Sequence, residues 1–209
     1  MTVPPAGRPT PASPGPAAEG AGRRTSPRRE ELLELAWRHV LSHGLADMSL
    51  RPLAKAVHSS PRVLLFIFGS KDGLVRALLE RARGEELAAV EAFRRDPGAT
   101  DLVTSAARVW SWLSAPAHGD LLKLWVEAYA RSLVDPSGPW GGFAAATVED
   151  WLDLLASLPP RGRSAADDRD DRTAVLALLR GALLDLLATG DVDRTTRAVG
   201  SALRRWAAR

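Results

Sequence analysis

The chain of 209 residues contains no cysteine, which excludes disulfide frameworks, thiolate zinc sites, iron–sulfur clusters and cysteine nucleophiles. No apolar run approaches the roughly 18 residues of a membrane span, and the first residues lack a hydrophobic signal region. The fingerprints of phosphate-binding loops, dinucleotide folds, zinc proteases and nucleophile elbows are also missing. The sequence therefore predicts a cytoplasmic protein that is not an enzyme, without a cofactor, a metal site or a membrane partner.

Charge is unevenly distributed along the chain, although the formal net charge is only +3. Residues 23–83 hold 12 basic and 6 acidic side chains, whereas residues 84–209 hold 15 basic and 18 acidic ones. A basic part followed by a mildly acidic part indicates a polyanion-binding module joined to a segment with another role. A chance fluctuation in charge is the alternative interpretation.

Hydrophobic periodicity predicts an all-α protein of about nine helices and no sheet. Residues 1–24 hold six of the fifteen prolines and no apolar period, so we expect a disordered tail there. Beyond it, apolar residues recur at helical spacing, and no window shows sustained alternation of period two. An acidic run at 167–171 is interpreted as the loop before the eighth helix. The predicted helices lie near 27–43, 49–57, 61–68, 71–94, 101–114, 119–133, 140–157, 170–189 and 193–208.

Residues 49–68 give two short predicted helices joined by about three residues, which is the spacing of a helix-turn-helix motif. Ser49 is a plausible N-cap of the first helix, and Ser60 followed by Pro61 begins the second. Ala54 is small enough for the two helices to approach closely. Since short helix pairs are common in all-α proteins, the motif alone does not establish DNA binding.

The run from Leu32 to Leu79 resembles the N-terminal domain of tetracycline-repressor (TetR) family transcriptional regulators. The segments HGLADMSLRPLAKAV and SSPRVLLFIFGSKDGL carry the resemblance, and the rest of the chain agrees in length and helix count only. The resemblance implies a DNA-binding domain over residues 25–83 and a helical ligand-binding and dimerisation domain over residues 84–209. It also implies a homodimeric repressor that binds double-stranded DNA at a palindromic operator and is released by a small-molecule effector.

Three positions depart from the family pattern. His58 stands in the turn where glycine is usual, and Ile67 replaces an aromatic residue or histidine. Leu65 stands where a tyrosine usually donates its hydroxyl to a DNA phosphate, a loss of roughly 1 kcal/mol per half-site. The alternative is therefore a small-molecule-binding helical dimer with weakened or lost DNA reading.

Candidate DNA contacts follow from the motif and the resemblance. Ser60, Arg62 and Phe66 are candidates for base edges, with an N-terminal basic arm in the adjacent groove. The arm would include Arg23 and Arg24, and a solvated basic tail is the alternative. The full set of candidate DNA contacts is Arg28, Ser49, Arg51, Ser59, Ser60, Pro61, Arg62, Phe66 and Lys71.

Five of the seven tryptophans lie between positions 110 and 151, which favours an apolar cavity for an apolar or aromatic ligand. The alternative is that these aromatic side chains belong to the core. The candidate ligand contacts are Trp110, Leu113, His118, Trp125, Glu127, Tyr129 and Trp151.

Two apolar segments, 140–157 and 174–188, suit a dimer interface. The second is apolar on almost all faces, which is unusual for a surface helix of a monomer. A central core helix is the alternative interpretation of this segment. The candidate interface residues are Trp140, Phe143, Thr147, Leu154, Leu176, Leu179, Leu183 and Leu187.

Overall fold

The computed structural model describes residues 26–45, 48–95, 97–98, 100–157 and 165–208, and the predicted tail at 1–24 lies outside them. Within the described residues the chain forms nine α-helices and no strand, which confirms the predicted all-α fold. In chain order the helices are α1 (Pro27–His43), α2 (Leu50–Ala56), α3 (Pro61–Phe68), α4 (Lys71–Arg94), α5 (Leu102–Leu113), α6 (Gly119–Val134), α7 (Phe143–Ala156), α8 (Ala165–Thr189) and α9 (Val192–Ala207), with a 3₁₀ turn at Pro116–His118.

Serine side chains begin three of the first four helices. The Ser26 hydroxyl accepts a hydrogen bond from the Arg29 amide at 3.2 Å, and the Ser60 hydroxyl accepts one from the Val63 amide at 3.2 Å. Ser70 does the same for α4, where the bond from the third helical amide is 2.9 Å long. Each such cap stabilises a helix by about 1 kcal/mol. Ser49 begins α2 without a side-chain cap bond.

Two helices begin away from their predicted positions. α7 begins at Phe143, because Gly142 adopts a left-handed backbone (φ 80°) just before it. α8 begins at Ala165 and therefore includes the acidic run that was expected to be a loop. Carboxylates near a helix N-terminus are electrostatically favourable there. Asp168 also lies 3.9 Å from Arg172 one turn later.

The interior consists of two clusters of buried apolar side chains. The first cluster combines α1, α2, α3 and the first half of α4, whereas the second combines the end of α4 with α5, α7, α8 and α9. Three helices, α4, α6 and α7, contribute to both clusters, α7 with Phe143 in the first and Trp151 in the second. In α4, Leu74 belongs to the first and Val90 to the second; in α6, Leu124 belongs to the first and Leu122 to the second. Among the described helices, none is long and apolar enough to cross a bilayer.

The turn between α2 and α3 places a non-glycine residue in the left-handed region. His58 has φ 50°, and the next amide, that of Ser59, donates to the Ala54 carbonyl at 2.8 Å. The turn thus keeps the geometry that glycine gives most easily. An L-residue in this region costs about 1–2 kcal/mol, with histidine among the better-tolerated types.

Substitutions at His58 should show this strain in the free energy of unfolding. We expect His58→Gly to leave stability unchanged or raise it by up to about 1 kcal/mol, since the relieved strain exceeds the entropy cost of glycine. His58→Val should lower it by about 1–2 kcal/mol, because a β-branched residue resists positive φ. Urea unfolding of the three proteins checks both. Equal stability of His58→Val and the parent chain would contradict the left-handed backbone conformation of His58.

Candidate functional site

α3 presents an exposed apolar face beside its buried one. Val63 and Leu65 are 38% and 39% exposed, and Phe66 is 70% exposed. The opposite face, with Leu64 and Phe68, is buried against α2 and α4. Exposed apolar side chains grouped on one short helix indicate a contact surface.

Basic side chains surround this face of α3. Arg51 and Lys55 are exposed on α2, Arg62 is exposed on α3, and Lys71 is exposed at the start of α4. Within the described part of the chain, none of these four cations forms an ion pair with a carboxylate. Unpaired, exposed cations around a protruding helix are available to bind phosphate groups.

The remaining candidate DNA contacts lie in or near the same region. Ser59, Ser60 and Pro61 lie at the turn that leads into α3, where Ser60 is exposed and the other two are partly buried. Ser49 is exposed at the other end of α2, where it precedes that helix. Arg28 lies in the first turn of α1 and pairs with Glu31 at 2.7 Å. The two arginines expected in a basic arm, at 23 and 24, lie outside the described residues.

A cavity of about 50 Å³ lies between α4, α5, α6, α7 and α8. Three of the candidate ligand residues, Leu113, Trp125 and Trp151, line it. Its walls are apolar except for one carboxylate and one guanidinium. The complete lining is Ala82, Glu86, Val109, Trp112, Leu113, Leu121, Leu122, Trp125, Trp151, Leu176, Leu179, Arg180 and Leu183.

Four candidate ligand residues do not line the cavity. Trp110 is buried and donates its indole N–H to Thr196 Oγ1 at 3.0 Å. The His118 ring stacks on Trp112, with 4.2 Å between ring centroids, but only Trp112 lines the cavity. Tyr129 packs against Trp125, with 5.1 Å between ring centroids. The fourth, Glu127, binds the backbone just after the first helix.

Glu127 joins α6 to the end of α1. Its Oε2 accepts a hydrogen bond of 2.8 Å from the Leu45 backbone amide. A second contact runs from α4 to α1, where Arg81 lies 3.6 Å from Glu34. Two of the five helices that line the cavity, α4 and α6, are therefore also tied to α1 or to the backbone just after it.

Glu86 is a charged residue of the cavity that is not among the candidates from the sequence. It is only 6% exposed, and its Oε1 accepts hydrogen bonds from the indole N–H groups of Trp151 (2.6 Å) and Trp125 (3.2 Å). Burial raises the pKa of the Glu86 carboxyl, with Asp150 adding to the rise, while the two indole bonds oppose it. Glu86 follows Ala82 by four residues, so both lie on the buried face of α4, and this spacing could have identified Glu86 from the sequence.

Arg180 is the second charged residue of the cavity and was also missed. Its guanidinium lies over the rings of Trp125 and Tyr129, at 5.5 Å and 5.3 Å from their centroids. Burial lowers the pKa of Arg180. Arg180 is the only charged residue of the apolar segment 174–184, and this could have identified it from the sequence as a candidate for the site.

The structure places nearly all of the candidate interface residues inside the single chain. Trp140, Phe143, Thr147, Leu154, Leu176, Leu179 and Leu183 are at most 9% exposed, and Leu187 is partly buried. They fill the chain's own two clusters, so they offer no surface to a partner chain. The exposed residues of α8 are instead Arg169, Asp170, Thr173, Ala174, Ala177, Gly181, Leu184, Ala188 and Thr189.

Comparisons with known proteins agree with this architecture. No family model matches the chain. The HTH-type transcriptional regulator BetI of Stenotrophomonas maltophilia (strain R551-3) is 27% identical over 110 residues, which span 52% of this chain and 56% of that protein. A TetR transcription regulator of Haloarcula marismortui superimposes with a TM-score of 0.67 at 17% identity, covering 84% of this chain and 95% of the other. The multidrug binding protein EbrR, complexed with ethidium, gives a TM-score of 0.62 at 27% identity over 84% and 98%.

The raised pKa of Glu86 predicts a pH-dependent stability. The folded chain holds this proton more tightly than the unfolded chain, so the stability contribution is lost as pH rises from the ordinary glutamate range through the raised pKa. Glu86→Gln removes the titration and keeps an oxygen for both indoles. We expect its melting temperature, relative to the parent chain, to increase from about pH 5 to about pH 8.

Glu91→Gln is the matched control, because Glu91 lies on the same helix with a side chain that is 40% exposed and paired with Arg94 and Arg95. Its melting temperature relative to the parent should not vary over this pH range. A constant difference between Glu86→Gln and the parent chain at all pH values would refute the raised pKa.

Proposed function

We propose that this chain, which belongs to the TetR family of helix-turn-helix transcriptional regulators, is a ligand-responsive homodimeric repressor. The observation that carries the proposal is the exposed face of α3, surrounded by four cations that pair with no carboxylate among the described residues. This arrangement suits a helix that enters the major groove while flanking cations bind the backbone.

Contacts with DNA divide between α3 and its surroundings. Arg62 and Ser60, at the N-terminal end of α3, are suited to base edges in the major groove. The exposed Phe66 suits apolar contact with thymine methyl groups. Arg51 and Lys71 supply phosphate contacts, which compensate in part for the hydroxyl that Leu65 lacks.

The effector would bind in the cavity and change the position of α4. The cavity of about 50 Å³ holds one or two water molecules, whereas pockets for drug-sized ligands measure about 300–1,000 Å³. A ligand must therefore displace helices as it enters. Since α4 lines the cavity and also packs in the first cluster, its displacement would move α3, provided that the ligand binds the two states with different affinity.

An aromatic ligand suits the three tryptophans of the cavity wall. Trp112, Trp125 and Trp151 provide flat apolar surfaces. The similar protein EbrR has been crystallised with proflavin and with ethidium, both of which are flat aromatic compounds. This likeness supports an aromatic effector for the present chain.

Two copies of the chain would pair through the exposed face of α8. Small residues such as Ala177 and Gly181 allow helices to approach closely, and Leu184, 52% exposed, supplies apolar area at the centre. A two-fold axis there would place two copies of α3 on successive turns of one palindromic site, about 34 Å apart.

The second candidate function is a small-molecule-binding dimer without DNA reading, favoured by Leu65. One experiment separates the two: binding to DNA next to the protein's own gene, at several salt concentrations, against random competitor. A repressor should prefer one sequence over random competitor, and its affinity for DNA should fall as the salt concentration rises. Salt-sensitive binding without any sequence preference would contradict the repressor and support the alternative.

Single substitutions should separate the two kinds of DNA contact. We expect Lys71→Glu to weaken binding to all sequences alike and to reduce the salt slope by about 1, because a phosphate contact is lost. Arg62→Ala should cost about 1–3 kcal/mol on the preferred site only. Lys123→Glu, on the exposed side of α6, is the control and should change neither. A change in sequence preference by Lys71→Glu would contradict its role.

Charge on the exposed face of α8 should break the dimer. We expect Leu184→Glu to sediment as a monomer at micromolar concentration, because two carboxylates would meet across the two-fold axis. Leu133→Glu, at an equally apolar position that is 65% exposed on α6, should remain dimeric. A monomeric parent chain, or a dimeric Leu184→Glu, would overturn the proposed interface.

A further inference from the structure

We propose that the cavity selects a flat, uncharged aromatic molecule whose edge carries one hydrogen-bond donor and one acceptor. The donor would bind Glu86 and the acceptor would bind Arg180. This inference rests on the ligand-binding role proposed above and names the chemical class of the effector.

The first support is an unused acceptor on Glu86. The side chain lines the cavity and is more than nine-tenths buried, and its Oε1 is occupied by the indoles of Trp125 and Trp151. Its Oε2 is buried and finds no hydrogen-bond partner among the described residues. Buried polar atoms are nearly always paired, so an unpaired acceptor at a cavity wall points to a partner that arrives from outside the chain.

The second support is an unused donor on Arg180. This residue also lines the cavity, and its Nη2 is buried without a partner among the residues that the structure describes. The aromatic rings of Trp125 and Tyr129 hold the guanidinium plane but accept no hydrogen bond from it. An acceptor atom on a ligand would satisfy this group.

The third support is the charge balance of the cavity. Of its lining residues, only Glu86 and Arg180 are charged, and they carry opposite signs. Around them, Arg83 and Asp150 form a pair of their own at 2.7 Å, so they leave no net charge. A permanently cationic ligand would be repelled by Arg180, and an anionic ligand would be repelled by Glu86. An uncharged ligand with a polar edge meets both groups without a buried, uncompensated charge.

The geometry also fixes the direction of the polar edge. Trp125 of α6 and Trp151 of α7 both hold Glu86, and Trp125 supports Arg180 as well. The two polar groups are therefore positioned by the same aromatic walls that would hold the ligand's rings. A molecule without the donor would leave the carboxylate oxygen of Glu86 unpaired. The cavity should therefore bind such a molecule more weakly.

The proposal can be tested with three compounds that share the phenanthridine ring system. The full chain is used, without DNA. Phenanthridinone carries an N–H donor and a carbonyl acceptor, phenanthridine carries an acceptor only, and ethidium is a permanent cation. Binding is measured by calorimetry or fluorescence. We expect phenanthridinone to bind about tenfold more tightly than either of the others, the effect of one well-placed hydrogen bond.

Substitutions assign the two hydrogen bonds. Glu86→Gln should weaken phenanthridinone about tenfold and leave phenanthridine unchanged, since only the first donates to the carboxylate. Arg180→Met, similar in length but without a donor, should weaken both. Glu91→Gln is the control and should alter neither, and melting curves of each variant show that it is folded.

The outcomes separate this proposal from the proposed function. Equal affinity for phenanthridinone and ethidium, or phenanthridinone binding that neither cavity substitution changes, would overturn the donor–acceptor ligand while leaving ligand binding intact. Failure of all three compounds to bind would overturn the cavity as the effector site. Neither result affects the DNA-binding role, which the promoter measurement tests on its own.

Discussion

The packing of α4 against both buried clusters is the constraint on which the rest of the structure depends. This helix has 24 residues, which makes it about 36 Å long at the α-helical rise. Its N-terminal half, through Leu74 and Leu78, holds α1, α2 and α3 together, and its C-terminal half lines the cavity and ends in the second cluster. A rigid element anchored at both ends transmits a displacement at one end to the other, because packed side chains resist being compressed.

Glu86 shows how this arrangement would exchange stability for the proposed binding site. A carboxyl group on the buried side of α4 weakens the core, since burial disfavours its ionised form and one of its oxygens lacks a partner in the described structure. The two indole bonds reduce that cost without removing it. A well-packed apolar residue at this position would hold the helices more firmly, but it would leave the cavity without a group that distinguishes one aromatic molecule from another.

The starts of several helices could be predicted because the residues that fix them are close together in the sequence. Ser26, Ser60 and Ser70 cap helices through bonds to residues three positions away, so the sequence alone reveals where those helices begin. The site is different in kind. Glu86 and Arg180 are separated by 93 intervening positions and meet only because α4 and α8 pack against the same helices. Apolar periodicity likewise identifies a buried face without saying what buries it. For this reason the sequence left two interpretations of segment 174–188 open, a dimer interface and a core helix.

The structure shows where the excess positive charge of the sequence is exposed. Beyond Leu79, arginines of α4 are bound within the chain: Arg81 pairs with Glu85, Arg83 with Asp150 and Arg94 with Glu91. Around α3, by contrast, basic side chains are exposed and lack carboxylate partners within the described residues. The excess positive charge of residues 23–83 therefore leaves cations free around one helix face. Since exposed cations repel one another, a polyanion laid across that face would relieve the repulsion and gain the phosphate contacts at the same time.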